Sequence, residues 1–180
     1  MDRVYAIIAS FAAAVLAVDQ WTKNLTLKNF FQEGQSESIL SWFNITLVYN
    51  HGVAFGLFRG LPDGIRVAFL LVLPAVVLTS LWFFMVRKFT KDDVLQSIAV
   101  GLVVGGAIGN VIDRVRLGYV VDMVDWHYPM LGNSCLPLFY PMSQGRCHWP
   151  VFNIADSAIC VAIVLLLIDS YRSSKKTQAA

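Results

Sequence analysis

Four long apolar stretches constrain this chain more than any other feature of its sequence. They are 15, 20, 19 and 18 residues long, and a membrane-spanning helix needs roughly 20 mostly apolar residues, with about 17 tolerated. Only 14% of the residues are charged, against about 25% in a typical soluble domain. We therefore predict one membrane domain, residues 1–180, with spanning helices at about 4–22, 67–87, 94–113 and 151–171.

The first stretch has a second interpretation as a cleavable signal peptide. Its start, Met-Asp-Arg, is poor in positive charge, and removal would threaten the function that we assign below to Asp19. We therefore expect the first stretch to remain as a helix.

The basic residues predict the orientation of the helices. Four spans put both termini and the loop at 87–93 on one side. That side holds three basic clusters, namely Arg3, then Arg87, Lys88 and Lys91, and then Arg172, Lys175 and Lys176. The positive-inside rule makes it cytoplasmic. Segments 24–66 and 114–150 then face outward.

The first outward segment contains a strand pattern. From Ser41 to Tyr49, Phe43, Ile45 and Leu47 alternate with other residues, which is typical of a β-strand. The predicted fold is therefore an all-α membrane protein with a small outward-facing sheet.

Polar residues cluster near the outward ends of the predicted helices. They are Asp19, Lys23, Asn110, Asp113, Arg114, Asp122, Asn153 and Asp156. Ionisable groups are costly in a membrane, so they are functional candidates. Two carboxyls held together can share one proton. One then takes a proton from water while the other protonates the substrate, which suffices to hydrolyse an amide.

Other interpretations of these residues stay open at this stage. Asp19 and Lys23 are four apart and could form a simple interfacial ion pair. The whole cluster could tie helices together in a membrane scaffold without chemistry. A small proton-coupled exporter is a third alternative, although Asp156 lies too near the start of its helix for a proton carrier at mid-membrane.

The cysteines and histidines suggest no catalytic metal. Cys135 and Cys147 lie in a polar loop and could pair in an oxidising compartment. With His127 and His148 they could also form a zinc site, but the spacing is irregular. Cys160 lies in an apolar run, so we expect it to be buried. The net charge of +2 and the lack of a basic run argue against a nucleic-acid partner.

Five short motifs resemble those of the bacterial lipoprotein signal peptidases, or signal peptidase II. Residues 19–23 resemble its D-Q-x-S/T-K motif, and residues 50–55 its N-x-G-x-A/S-F motif. Residues 105–114 resemble G-G-A-x-G-N-x-x-D-R, residues 118–122 resemble G-x-V-x-D, and residues 152–156 resemble F-N-x-A-D. Each motif alone is weak, but the five occur in the family's order along nearly the whole chain.

The resemblance implies an intramembrane aspartyl peptidase of the bacterial inner membrane. It would cleave the signal peptide from prolipoproteins whose lipobox cysteine carries diacylglycerol, as a monomer among membrane lipids and without a metal or cofactor. Asp122 and Asp156 correspond to the catalytic pair. The supporting or substrate-holding positions correspond to Asp19, Lys23, Asn50, Gly52, Asn110, Asp113, Arg114, Asn153 and Ala155. The predicted sheet corresponds to the family's outward substrate cradle.

The chain departs from the family pattern between its two candidate aspartates. The 33 residues between them are more than the pattern usually has, so we predict a loop insertion over residues 123–150. Asp125 follows Asp122 by three residues and is the competing candidate. The Gly-x-Val-x-Asp context favours Asp122.

Overall fold

Three long helices and a five-stranded antiparallel sheet make up the described part of the chain. The computed structural model describes residues 2–52, 72, 76, 79–80, 83, 94–130, 135–142 and 145–178. The helices are α1 (Asp2–Asn29), α2 (Val94–Leu117) and α3 (Ile154–Gln178). The strands are β1 (Ser36–Leu40), β2 (Phe43–Asn50), β3 (Val120–Pro129), β4 (Tyr140–Met142) and β5 (Arg146–His148).

All three helices contain a segment long and apolar enough to cross a membrane. These segments are Arg3–Asn29, Val94–Leu117 and Ile154–Arg172, and they agree with a membrane protein. The helix that we predicted at 67–87 lies outside the described residues, except for Val72, Val76, Thr79, Ser80 and Phe83, which are helical.

Helix α1 continues seven residues beyond the end predicted at residue 22. Polar side chains along its second half bond to carbonyls of the preceding turn. Thr26 Oγ1 donates to the Thr22 carbonyl at 3.0 Å, and Asn29 Nδ2 donates to the Leu25 carbonyl at 2.8 Å. A hydropathy window detects only the membrane-spanning length, so it misses this polar extension.

Helix α2 packs between the other two helices through glycines. An added Cβ on Gly101 would lie 2.8 Å from the Ile8 carbonyl, and one on Gly105 would lie 2.7 Å from the Ala12 carbonyl. From the first contact to the second, the contacting residue moves four positions toward the C-terminus in both helices, so α1 and α2 run parallel. On its other side, Gly106 approaches the Ala155 carbonyl at the start of α3. Glycines of α2 therefore allow close contact with both neighbouring helices.

The sheet has the order β1-β2-β3-β5-β4, and it covers the end of the helices where α1 finishes. The strand predicted at Ser41–Tyr49 is confirmed as β2. Its partners were not identified from sequence. Phe30, directly after α1, packs with Leu47, Val121 and Met123 in a buried apolar cluster.

The predicted insertion carries the β4–β5 hairpin. Cys135 and Cys147 form a disulfide, and β5 pairs with the end of β3. The expectation that Cys160 is buried is wrong, because its side chain is exposed. The buried face of α3 is formed instead by Ala155, Ala158 and Ala162, whose small side chains allow close helix packing.

Candidate active site

The start of helix α3 orients one candidate aspartate. Asn153 directly precedes the helix, and its Oδ1 accepts a hydrogen bond from the Asp156 backbone N–H at 2.9 Å. Asp156 Oδ2 in turn accepts from the Asn153 backbone N–H at 3.3 Å. This reciprocal arrangement is a capping box. It places the Asp156 carboxylate at the positive end of the helix dipole, which stabilises negative charge.

Strand β3 carries the other candidate. Asp122 is 1% exposed and accepts from Asn50 Nδ2 at 2.9 Å and from Asn153 Nδ2 at 2.7 Å. Burial first, and then the neighbouring Asp156, raise the pKa of Asp122 to about 7, against the two amide hydrogen bonds. Asn153 therefore bonds to both aspartates, so Asp122 and Asp156 belong to one network.

Three asparagine amides have orientations that the structure fixes. Asn110 Oδ1 accepts from Lys23 Nζ at 2.9 Å, and an ammonium group can only donate. The Asn110 Nδ2 group must therefore face Asp156 Oδ1, at 2.8 Å. In the same way, backbone N–H groups hold the Oδ1 atoms of Asn50 and Asn153. All three amides consequently present N–H groups to the carboxylates.

Lys23 holds the surrounding charges together. It is 2% exposed, and its Nζ lies 2.8 Å from Asp19 Oδ2 and 3.0 Å from Asp113 Oδ2. Asp19 Oδ1 accepts from the Ala155 backbone N–H at 2.9 Å. The ion pair predicted between Asp19 and Lys23 is thus present, and it connects α1 to both α2 and α3.

Asp113 connects the helices to strand β3. Its Oδ2 accepts from the Val121 backbone N–H at 3.1 Å, next to Asp122. Its Oδ1 accepts from Gln20 Nε2 at 2.9 Å. Gln20 lies within the first motif, but we did not predict it as a site residue. Its position beside Asp19 is the signal that could have indicated it.

Arg114 reaches the loop that follows β2. Its Nη2 donates to the Gly52 carbonyl at 3.3 Å, and the Gly52 N–H donates to Asn50 Oδ1 at 2.9 Å. Arg114 Nε is buried and has no hydrogen-bond partner among the described residues. A donor is therefore left available beside the carboxylates.

Asp125 does not join this network. It is three residues from Asp122, so its side chain lies on the opposite face of β3, where Thr46 Oγ1 and His148 Nδ1 bond to it. Among the described residues, one group of potential metal ligands occurs, and it contains Asp125, not Asp122 or Asp156. Every other site residue predicted from sequence lies in one network between the helix ends and the sheet.

Buried carboxylates converging where membrane helices meet a sheet are typical of a membrane enzyme, since perturbed acids cluster at functional sites. The family model for signal peptidase (SPase) II matches residues 11–172. The chain belongs to the signal peptidase II family, whose members are proteases.

Curated relatives and solved structures agree with this assignment. A lipoprotein signal peptidase from Syntrophotalea carbinolica is 38% identical over 176 residues, covering 97% of each chain. Another, from Teredinibacter turnerae, is 39% identical and covers 91% of this chain and 86% of its own. A bacterial membrane enzyme solved by the in meso method at 2.3 Å superposes with a TM-score of 0.74 and 26% identity, covering 94% of this chain and 90% of its own.

Proposed function

We propose that this protein is an aspartyl endopeptidase that cleaves the signal peptide from diacylglyceryl-modified prolipoproteins at the lipobox cysteine. Relatives that match nearly the whole chain carry the name lipoprotein signal peptidase. The observation that carries the proposal is the double role of Asn153. This residue bonds to Asp122 through its side chain and to Asp156 through its backbone.

In the proposed mechanism the aspartates share one proton and activate a water molecule. A pKa of about 7 leaves a proton on Asp122 in roughly half of the molecules at neutral pH, while the capping box favours a carboxylate at Asp156. Asp156 takes a proton from water, and the oxygen attacks the scissile carbonyl carbon. Asp122 donates its proton to the carbonyl oxygen. When the C–N bond breaks, Asp156 protonates the leaving amine and Asp122 recovers its proton from the new carboxyl group.

The neighbouring residues position this pair and the substrate. Asn50, Asn110 and Asn153 orient the carboxylates, while Lys23 neutralises Asp19 and Asp113. Arg114 Nε is a free donor among the described groups, and it suits a substrate carbonyl. Gly52 and Ala155 contribute backbone groups, which bond to Arg114 and Asp19.

We also propose that the site lies at the periplasmic surface of the inner membrane. Helices α1 and α2 run parallel, so the connection from Gly52 to Val94 has to return to the end where α2 begins. This supports four spans in one domain, with both termini cytoplasmic. A lipid-modified substrate would enter sideways from the bilayer, and the sheet would cradle its extended segment. A monomer supplies every residue of this site.

Cleavage of a purified diacylglyceryl-modified prolipoprotein tests the proposal. Asp122→Asn and Asp156→Asn should each abolish cleavage while the protein still folds in detergent. Asp169→Asn is a matched control, because Asp169 lies on α3 and also accepts from an amide, that of Gln96 at 2.6 Å. It should retain cleavage. Normal processing by either Asn variant at position 122 or 156 would refute the role of that aspartate.

A further inference from the structure

A second buried polar cluster lies on the opposite face of β3 from Asp122. Asp125 and His127 come from β3, and His148 comes from β5. They are 2%, 3% and 6% exposed, and each offers one ligand atom within 4.8 Å of the other two. The antiparallel register pairs His127 directly with His148, so the fold brings these side chains together.

Two of the three residues are already bonded. His148 Nδ1 lies 2.6 Å from Asp125 Oδ1, and Thr46 Oγ1 donates to Asp125 Oδ2 at 2.9 Å. The two imidazole rings stack with centroids 5.0 Å apart. Asp125 thus fixes the ring of His148.

His127 is the residue whose bonding is incomplete. Its Nδ1 is buried and makes no hydrogen bond of standard geometry among the described residues, and the Ser41 carbonyl is the backbone acceptor beside the ring. Its Nε2 contacts Arg146 Nη1. A guanidinium can only donate, so this nitrogen carries a lone pair. The buried, neutral imidazole is therefore in the form that binds metals.

We propose that Asp125, His127 and His148 form a binding site for a divalent transition metal of the zinc class. Two imidazoles and one carboxylate suit zinc, cobalt or nickel, whereas calcium and magnesium prefer oxygen ligands alone. Tetrahedral bonds of about 2.0–2.1 Å put ligand atoms about 3.4 Å apart. The side chains need only shift modestly to reach this geometry.

This site differs from the zinc site considered from sequence. The disulfide removes Cys135 and Cys147 from the ligands, and Asp125 takes their place. An ion would link β3 to β5 and so brace the strand that carries Asp122. It lies on the other face of that strand and takes no part in the peptidase reaction.

Arg146 provides the sharpest test. Its contact with His127 competes with a metal, whichever ring nitrogen the metal binds. The contact occupies Nε2 and so leaves the proton on Nδ1. The positive charge of Arg146 also repels a cation. Arg146 also reaches the Ser41 carbonyl at 3.4 Å, so it has another partner if displaced. Arg146→Met keeps the apolar stem and removes the donors. It should raise metal affinity by about tenfold, because it removes a positive charge beside the cation.

The experiment titrates metal-free protein in detergent with Co²⁺ and Zn²⁺. We expect one Co²⁺ per chain with the visible absorption of a four-coordinate site, displaced by Zn²⁺, and a higher melting temperature with Zn²⁺ but not with Mg²⁺. His127→Asn and His148→Asn should lose both signals. His51→Asn, which changes the remaining histidine, should keep them.

Several results would overturn the proposal. The first is that the wild-type protein shows no Co²⁺ absorption. The second is that the His127 and His148 variants bind Co²⁺ as well as the wild type does. The third is that Arg146→Met has the same metal affinity as the wild type. The second and third measurements need variants that fold. The first uses the wild-type protein, so the proposal can be tested even if a variant does not fold. None depends on prolipoprotein cleavage, so failure of the proposed function would leave this test intact.

Discussion

Asn153 Nδ2 donates a hydrogen bond to Asp122 Oδ1 at 2.7 Å. The same residue caps α3 by accepting from the Asp156 backbone N–H. One side chain thus ties the strand that carries one aspartate to the helix that carries the other. The relative position of the two carboxyl groups therefore depends on this residue.

Replacing Asn153 separates its two roles. Ser at this position can still cap a helix but cannot reach Asp122 with an N–H donor. We expect Asn153→Ser to lower kcat by on the order of 10²-fold, the cost of misplacing a reacting group by about 1 Å. Asn153→Ala loses the cap as well and should cost about 1 kcal/mol more in stability. Cleavage rates and detergent melting curves measure both effects. Equal kcat for wild type and Asn153→Ser would contradict the positioning role.

The raised pKa of Asp122 predicts the pH dependence of cleavage. The proposed mechanism needs a proton on Asp122, and its pKa is about 7. The rate, measured as kcat/KM against pH, should therefore fall as pH rises through about 7. The hydrogen bond from Asn50 lowers this pKa, so Asn50→Ala should move the alkaline limb to higher pH. A limb that stays at the wild-type pH in Asn50→Ala would argue against Asp122 as its source.

The same shift predicts how stability depends on pH. Between the ordinary value of 3.8 and about 7, the folded chain keeps a proton on Asp122 that the unfolded chain has lost. Stability should therefore fall as pH rises through this window. Asp122→Asn removes the titrating group, so its melting temperature should fall less than that of wild type between pH 5 and pH 8. Parallel melting profiles for the two proteins would refute this linkage.

Sequence reasoning located the site because its residues occur in short, ordered motifs. Hydropathy predicts the last helix from about residue 151, and the structure begins α3 at Ile154. Polar groups are costly in a membrane, and those near the outward helix ends are predicted to lie close together. They include Asp19, Lys23, Asn110 and Asp113. These inferences rest on the spacing of residues and on the free-energy cost of polar groups in a membrane, and both can be judged from a single sequence.

The sheet was harder to predict because strand pairing is non-local. The sequence indicated β2, but its partner β3 lies 70 residues or more further on and has few alternating positions. The hairpin in the insertion depends on a disulfide and on pairing with β3. The cluster of Asp125, His127 and His148 follows from that register, so spacing alone did not reveal it.

Lys23 should be essential for stability. Its ammonium group contacts Asp19, Asp113 and Asn110 while almost fully buried. Lys23→Met leaves two buried carboxylates without their cation, which typically costs about 3–5 kcal/mol. Lys28→Met is a matched control, because Lys28 is exposed on the same helix. We expect a large drop in the unfolding midpoint in detergent for Lys23→Met only. Similar midpoints for both variants would contradict this assignment.

Gly106 sets the position of α3, and with it that of Asp156. A Cβ at this position would lie 2.6 Å from the Ala155 carbonyl and 2.9 Å from Ile159 Cγ1. Gly106→Ala must therefore push the start of α3 away from α2. Overpacking of this kind costs about 1–3 kcal/mol.

Gly101→Ala is the comparison that distinguishes this effect from simple overpacking. Its Cβ would lie 2.8 Å from the Ile8 carbonyl, in the same kind of contact but far from the carboxylates. Both variants should melt at lower temperature than wild type. Only Gly106→Ala should also lower kcat for the folded enzyme, because it alone displaces the capping box of Asn153 and Asp156. If the two variants kept the same kcat, the position of α3 would not limit the reaction.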